Sequence, residues 1–294
     1  MQNNRRKSTK NKSNPLVFVL IAALFIIAAS GIIVYSSGYR YISADGVKYS
    51  GFVENGQPVN GNIKYPDGIT GKLTKEKDSP VGKIVYSTGD VFEGEIKGIV
   101  RHGKGTITYK QTGEVYSGDF VDDKLTGYAE CTSPDGSSYK GEVLDGKKHG
   151  VGKHVYPDGS YYYGEFADNK RNGGGEQHYA DDSYYYGTFV DDKREGSGIV
   201  SVNLENGMMY KGECKFVFAN GDVYVGDFVA DRRTGKGKYT WSTGQTYEGD
   251  FANDKMHGIG TYDFKNGKQP YTGEFVNGKL KEETSEDITE EAAS

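Results

Sequence analysis

The sequence predicts an all-β protein, an elongated single-layer antiparallel meander of short hairpins preceded by one transmembrane α-helix. Three observations favour this fold. The chain combines 43 Gly with 24 Tyr and only 7 Pro, and it has one long apolar run near its start. A phrase of aromatic, any residue, Gly, acid and aromatic also recurs. Its first five regular copies centre on Gly94, Gly118, Gly141, Gly164 and Gly187, which are 24, 23, 23 and 23 residues apart. Such a period is typical of stacked repeats and excludes most enzyme folds.

The N-terminal region is predicted to anchor the chain. Residues 1–14 form a basic cytoplasmic tail, since residues 1–12 carry five Lys or Arg and no acid. Residues 15–36 form a transmembrane helix that acts as a signal anchor, because its 20 residues from Leu16 to Tyr35 are uncharged. A helix of that length spans about 30 Å, the thickness of a bilayer core. The upstream positive charge favours a cytoplasmic N-terminus and an extracytoplasmic repeat array.

A cleaved signal peptide is the alternative for this region. The small residues Ala28-Ala29-Ser30 before Gly31 resemble a cleavage site. The apolar run continues beyond them, which favours the anchor. Residues 37–48 are then a linker, residues 49–280 the repeat array and residues 281–294 an acidic disordered tail.

Each repeat is predicted to be one antiparallel hairpin. Alternate residues of a strand share a face, so Tyr116, Gly118 and Phe120 point to one side of the sheet. Tight glycine turns such as Pro157-Asp158-Gly159 alternate with longer, charged connections such as Asp168–Arg171. Successive hairpins therefore build a continuous meander.

These residues give the chain a resemblance to a known family. The phrase Y-x-G-[ED]-F, followed by a turn and G-x-G, reads YEGDFANDKMHGIG at 247–260. It resembles the MORN (membrane occupation and recognition nexus) repeat over about residues 49–280. The resemblance implies an elongated, twisted single-layer sheet with roles in scaffolding, membrane association or protein contact, and no catalytic residues. The first units are degenerate, YSGFV at 49–53 and ITGKL at 69–73.

The repeat is irregular near residues 212–226. Gly212 and Gly226 are only 14 residues apart, and the charged turn and G-x-G are missing between them. The pattern predicts one long strand over 208–219. With one strand fewer, the two classes of turn should exchange sheet edges after Asn220-Gly221.

The first candidate interaction site is an aromatic patch. Two adjacent units carry extra tyrosines, Tyr161 with Tyr163 and Tyr184 with Tyr186, on the face opposite the repeat aromatics. Such a patch suits stacking on sugar rings or on the apolar surface of a protein partner. The alternative is cross-strand packing that stiffens the sheet.

The second candidate site is a column of basic turn residues that could meet an anionic polymer or lipid headgroups. It consists of Lys124, Lys147, Lys148, Lys170, Lys193 and Arg194. Neighbouring aspartates such as Asp168 largely cancel this charge, so solvated turns that protect the hairpin ends are the alternative.

The sequence indicates binding rather than chemistry, with no cofactor and no metal site. The mildly acidic array disfavours nucleic acid. His102 and His149 lie two units apart, about 19 Å, too far to share a metal. Cys131 and Cys214, about 38 Å apart, are beyond disulfide reach.

We expect a single-pass membrane scaffold for protein partners. A module that binds lipid headgroups or glycans at the membrane or cell surface is the alternative.

Overall fold

The computed structural model describes residues 38–44, 46–76 and 78–281, and every regular element there is a β-strand. The predicted all-β antiparallel meander is thereby confirmed for these residues. The predicted transmembrane helix at 15–36, the tail at 1–14 and all but the first residue of the tail at 281–294 lie outside them. The prediction of a linker at 37–48 is wrong, because Tyr39–Ala44 pairs with the next strand.

The described residues fall into two compact units, which divide after Val100. Consecutive strands pair from β1 to β6 in the first unit and from β8 to β14 in the second. The first unit contains β1 (Tyr39–Ala44), β2 (Val47–Glu54), β3 (Gln57–Lys64), β4 (Thr70–Lys75), β5 (Val81–Tyr86) and β6 (Val91–Lys97). Strand β7 (Val100–Thr108) begins at the last residue of that unit.

The second unit continues the same pattern up to an interruption after β14. Its strands before that point are β8 (Val115–Val121), β9 (Lys124–Thr132), β10 (Ser138–Leu144), β11 (Lys147–Val155), β12 (Tyr161–Ala167), β13 (Lys170–His178) and β14 (Tyr184–Val190). The later strands are β15 (Lys193–Glu195), β16 (Ile199–Asn203), β17 (Met209–Glu213), β18 (Lys215–Val217), β19 (Val223–Val229), β20 (Arg232–Thr240), β21 (Thr246–Ala252), β22 (Lys255–Asp263), β23 (Tyr271–Val276) and β24 (Lys279–Leu280).

The charged turns are the shorter of the two turn classes, contrary to the prediction. Asp168 and Asn169 both have positive φ, 48° and 73°, and Asp191 and Asp192 have 47° and 70°. Two such residues make the tight hairpin turn that matches the twist of the flanking strands, and Asp and Asn tolerate this conformation. The glycine turns are longer. In one of them the Gly159 N–H donates to the Tyr156 carbonyl.

One face of the sheet, called here the ring face, holds the core of the repeats. Tyr162 is fully buried, and its hydroxyl donates to the Glu165 carbonyl oxygen at 3.0 Å. A Cβ on Gly164 or Gly175 would collide with its ring, so glycine is required beneath it. The ring contacts Phe166 and Phe189 edge-on, with centroids 5.1 Å apart in both pairs. Tyrosine, glycine and phenylalanine therefore form one interlocking motif.

The acid of the phrase has a structural role as well. Five of the hairpins have a bulge after the central glycine, as between Gly164 and Phe166. The Glu165 carboxylate accepts a hydrogen bond from the Gly174 N–H at 3.2 Å. Gly173, just before it, has a φ of 108°, which favours glycine. The carboxylate thus pairs a backbone donor beside a point where the ladder is irregular.

The irregular segment is an inserted hairpin, and the prediction of one long strand over 208–219 is wrong. Strands β15 and β18 both pair with β14 and together replace a single strand such as β13. Gly196 still bridges Phe228 of β19, and the Cys214 carbonyl accepts from the Gly226 N–H. Residues 197–213 leave the sheet between them, and β16 pairs only with β17 in a separate two-stranded sheet. We call β16–β17 the side hairpin. The alternation across 210–218 misled the prediction because the chain changes sheet at Cys214.

The predicted exchange of turn edges is wrong for the same reason. The Asp231 N–H donates to the Arg194 carbonyl at 3.0 Å, as the Asp192 N–H does to the Arg171 carbonyl. The charged turns therefore stay on one edge through the interruption. The insertion adds a hairpin without removing a strand from the meander.

Candidate functional site

The four predicted tyrosines lie on the outer face, opposite the ring face, but they are interleaved with another strand. Strand β13 runs between β12 and β14 and places His178 between Tyr161 and Tyr184. The His178 ring stacks on both, with centroids 4.5 Å and 5.5 Å away. Cross-strand packing therefore accounts for Tyr161 and Tyr184.

The side hairpin lies on this same part of the outer face. Strand β16 packs against β13 and β14, and Val200, Val202 and Leu204 are buried there. A Cβ on Gly174 would lie 3.1 Å from the Ser201 carbonyl oxygen and 3.6 Å from Val202 Cγ2. Five other repeats have a side chain at this position, namely Lys104, Tyr128, Val151, Lys236 and Ile259. Glycine occurs in the repeat on which the hairpin docks.

Polar contacts hold the tip of the side hairpin. The buried Glu176 carboxylate accepts from the Glu205 N–H at 2.8 Å. Lys153 Nζ forms an ion pair with Glu205 at 2.7 Å and lies 4.3 Å from the centre of the Tyr161 ring. Burial, together with Glu176 and Glu205, raises the pKa of Tyr161 to about 12. The tip is thus fixed to two strands of the sheet.

Of the two remaining tyrosines, one contacts the docked hairpin. Tyr186 contacts Tyr210 of the hairpin, with ring centroids 5.4 Å apart, and burial raises the pKa of Tyr186. Tyr163 is half-buried on the same face. The irregular segment, which the sequence analysis treated separately, therefore meets Tyr186 directly and Tyr161 through Lys153.

The predicted basic column divides into two sets with different surroundings. The first set is exposed at the turns. Lys124 pairs with Asp145 at 2.8 Å, Lys147 with Asp168 at 2.9 Å and Lys170 with Asp191 at 3.0 Å. Lys193 occupies the next place, where Ala230 starts the facing turn instead of an acid, and it has no ion-pair partner among the described residues.

The second set turns onto the ring face. Arg194 Nε pairs with Asp231 at 3.2 Å while the guanidinium lies 5.0 Å from the centre of the Phe216 ring. Lys148 Nζ lies 3.1 Å from His154 Nδ1, and burial lowers the pKa of both side chains, that of His154 to about 4. Half-buried cations that are packed in this way are fixed parts of the repeat rather than a surface for anions.

The ring face also carries a surface that sequence reasoning missed. Beyond the tyrosine row, rings from β18, β20 and β22 and from the loops that follow them form a continuous band, which is half-buried except at its first member, the buried Phe216. We call this the aromatic strip, and its members are Phe216, Phe218, Tyr239, Trp241, Tyr262 and Phe264. Successive centroids lie between 4.6 Å and 5.7 Å apart. Alternation after the G-x-G placed Tyr239 and Trp241 on this face, but could not show how exposed they are.

Two charged side chains, Arg233 and Asp222, contact the rings of the strip and hold them in place. The Arg233 guanidinium lies 5.7 Å from the Phe218 ring centre and 5.3 Å from that of Tyr239. The Tyr239 hydroxyl donates to the buried Asp222 carboxylate at 2.6 Å. Burial alone would raise the pKa of Asp222, but hydrogen bonds, chiefly from Tyr239 and Ser242, outweigh burial and lower it.

In the described part of the chain, no group of three or more His, Cys, Asp or Glu could hold a metal ion. Cys131 and Cys214 have free thiols. No helix within residues 38–44, 46–76 and 78–281 is long and apolar enough to cross a membrane.

Comparison with solved structures gives distant likenesses. The TCP domain of SAS-4 (dCPAP) of Drosophila melanogaster, in complex with a proline-rich motif of Ana2 (dSTIL), is 22% identical. That match covers 59% of this chain and 89% of that chain, with a TM-score of 0.29. The TCP10 domain of Danio rerio CPAP is 12% identical over 72% of this chain and 94% of that chain, with a TM-score of 0.33. Scores this low have no bearing on function. No curated protein matches the chain.

The family model for the MORN repeat matches more than half of the chain. Its matches cover residues 92–111, 116–138, 139–161, 162–184, 185–200, 224–246, 247–269 and 271–281. The gap between 200 and 224 contains most of the side hairpin, so the interruption of the family pattern coincides with the insertion. The chain belongs to the MORN repeat family.

Proposed function

We propose that this protein is a membrane-anchored, non-catalytic scaffold that binds a protein partner on its MORN-repeat array. The observation that carries the proposal is the aromatic strip. A band of half-buried rings, including the single Trp of the chain, lies on the ring face beside the tyrosine core. Aromatic residues, Trp and Tyr above all, are enriched where protein partners bind most strongly.

The recurring polar groups of the repeat maintain its hairpins, and this structural role supports a binding function for the array. The repeat tyrosine hydroxyls donate to the backbone, the acids of the phrase accept from it, and the turn aspartates pair with lysine or arginine. These groups maintain the hairpins. The function then lies in the departures from the repeat, where Phe216, Tyr239 and Tyr262 of the strip replace His154 and Gln177 of earlier units.

Two further parts of the proposal rest on the sequence. The uncharged run Leu16–Tyr35 and the bases before it support an uncleaved anchor with the array outside the cytoplasm. Protease added to intact cells should then remove the array, and full protection would contradict this orientation.

Co-purification of the full chain in mild detergent tests the scaffold itself. We expect one protein in near-stoichiometric amount, lost in a Trp241→Ala/Tyr262→Ala variant and retained in the outer-face control Tyr163→Ser. Lipid or glycan binding is the competing outcome, because exposed rings also stack on sugars. Strip-dependent binding to glycan or to anionic vesicles, without any protein partner, would replace the scaffold proposal.

A further inference from the structure

We infer that the aromatic strip binds a polyproline II helix, so that the partner contributes a proline-rich segment. This inference rests on the proposed function and specifies the chemistry of its partner. It depends on the spacing of the strip, its free hydrogen-bond donors and its lack of exposed charge.

The spacing of the strip matches the repeat of a polyproline II helix. Each strand with its following loop contributes two adjacent rings, such as Tyr239 and Trp241 at 4.7 Å or Tyr262 and Phe264 at 4.8 Å. Strands β18, β20 and β22 are two positions apart in the sheet, about 9.6 Å at the usual strand spacing. A polyproline II helix rises about 9.3 Å per turn of three residues. Prolines at i, i+3 and i+6 would therefore meet Phe218, Trp241 and Phe264 in turn.

The donors on the strip suit a backbone without internal hydrogen bonds. Within the described residues, Trp241 Nε1 and the Tyr262 hydroxyl have no hydrogen-bond partner. Both groups are polar ends of rings that are otherwise packed against neighbours. The carbonyls of a polyproline II helix are unpaired and can accept from them, whereas those of an α-helix are already bonded within the helix.

The charge around the strip favours a neutral ligand. Arg233 is enclosed by rings and paired with Asp254 at 3.3 Å, and Asp222 is buried. An acidic helix or a phosphate group would find no unpaired cation on the strip itself. Proline-rich segments recognised by aromatic-lined grooves fit this combination of rings and neutral donors.

The single tryptophan allows a direct measurement on the full chain in nanodiscs. The probe is an unlabelled peptide of four Ala-Pro-Pro repeats, which has no aromatic residue, and its addition should shift the Trp241 emission to shorter wavelength. A peptide of four Ala-Gly-Gly repeats and an amphipathic Glu/Leu helical peptide are the controls. An unchanged emission with the proline peptide at millimolar concentration, or an equal shift with the helical peptide, overturns the inference.

Variants measured with a fluorescein-labelled proline peptide place the binding on the strip. Trp241→Ala should weaken binding at least about tenfold, as for a central aromatic anchor. Tyr262→Phe should weaken it about threefold, while the outer-face control Tyr163→Ser should leave it unchanged. Amide exchange of the repeat strands verifies that each variant is folded. Equal affinity in all three variants contradicts the inference.

This inference can fail separately from the proposed function. If the native partner is lost with Trp241→Ala/Tyr262→Ala while the proline peptide does not bind, the scaffold stands and the polyproline assignment is wrong. If neither the partner nor the peptide depends on the strip, both are wrong.

Discussion

Replacing Gly174 with valine should release the side hairpin while leaving the repeat array folded. In five other repeats this position has a side chain directed away from the ring face, and in one of them the residue is Val151. A valine is therefore compatible with the strand itself. At Gly174, however, its Cβ would lie 3.1 Å from the Ser201 carbonyl oxygen, before its methyl groups are added.

The size of the effect follows from overpacking at this contact. Forcing extra carbons into a packed site costs about 1–3 kcal/mol. Docking buries Val200, Val202 and Leu204, and each buried side chain of this size stabilises by about 1.5–3 kcal/mol before ordering of the hairpin is subtracted. The substitution should thus raise the open fraction about 5- to 150-fold, since 1.4 kcal/mol corresponds to a factor of ten.

Native-state hydrogen exchange resolved by residue measures this opening. We expect the amides of β16 and β17 to lose protection by that factor, while the amides of β12 and β20 keep theirs. Lys236→Val is the matched control, because it changes the same repeat position where no hairpin docks. Unchanged protection of β16 and β17 in Gly174→Val, or equal loss in both variants, would refute the reasoning.

Three further predictions concern the repeat array. Tyr162→Phe removes a buried donor and should lower the free energy of unfolding in urea by about 1 kcal/mol, with little change for the half-buried control Tyr163→Phe. Ala230→Asn should raise that free energy by about 1 kcal/mol, because Ala230 has a φ of 48° that Asn tolerates better; a loss in stability would contradict this. The lowered pKa of Asp222 means that its ionised form stabilises the fold above its unfolded pKa of about 3.9. That stability should be lost as pH falls through the folded pKa, and Asp222→Asn should reduce the acid sensitivity in a pH titration of unfolding.

The hairpin unit of the repeat and the face of its aromatic residues could be predicted from the sequence. A period of 23 residues, strict alternation and paired turns identified the hairpins and the face of Tyr162 and Phe166. These features depend on residues close together in the chain, so spacing is enough to reveal them. Turn length was misjudged because both Asp168 and Asn169 adopt positive φ, which shortens the charged turn.

The sites required the tertiary structure. The sequence marked the extra tyrosines and the irregular segment near residues 212–226 as exceptions, but it could not show that the segment covers part of the tyrosine patch. That contact joins residues as far apart as Lys153 and Glu205, and pairwise distances of this kind leave no periodic signal in a single sequence.

The sequence by itself determined the family, the hairpin unit and the face on which its aromatic residues lie. Only the tertiary structure decided that residues 197–213 leave the sheet, that Lys148 and Arg194 turn inward, and that the aromatic strip is continuous. The physical reason is the range of the interactions. Alternation and turn chemistry act between near neighbours, whereas docking and exposure depend on which strands the fold brings side by side.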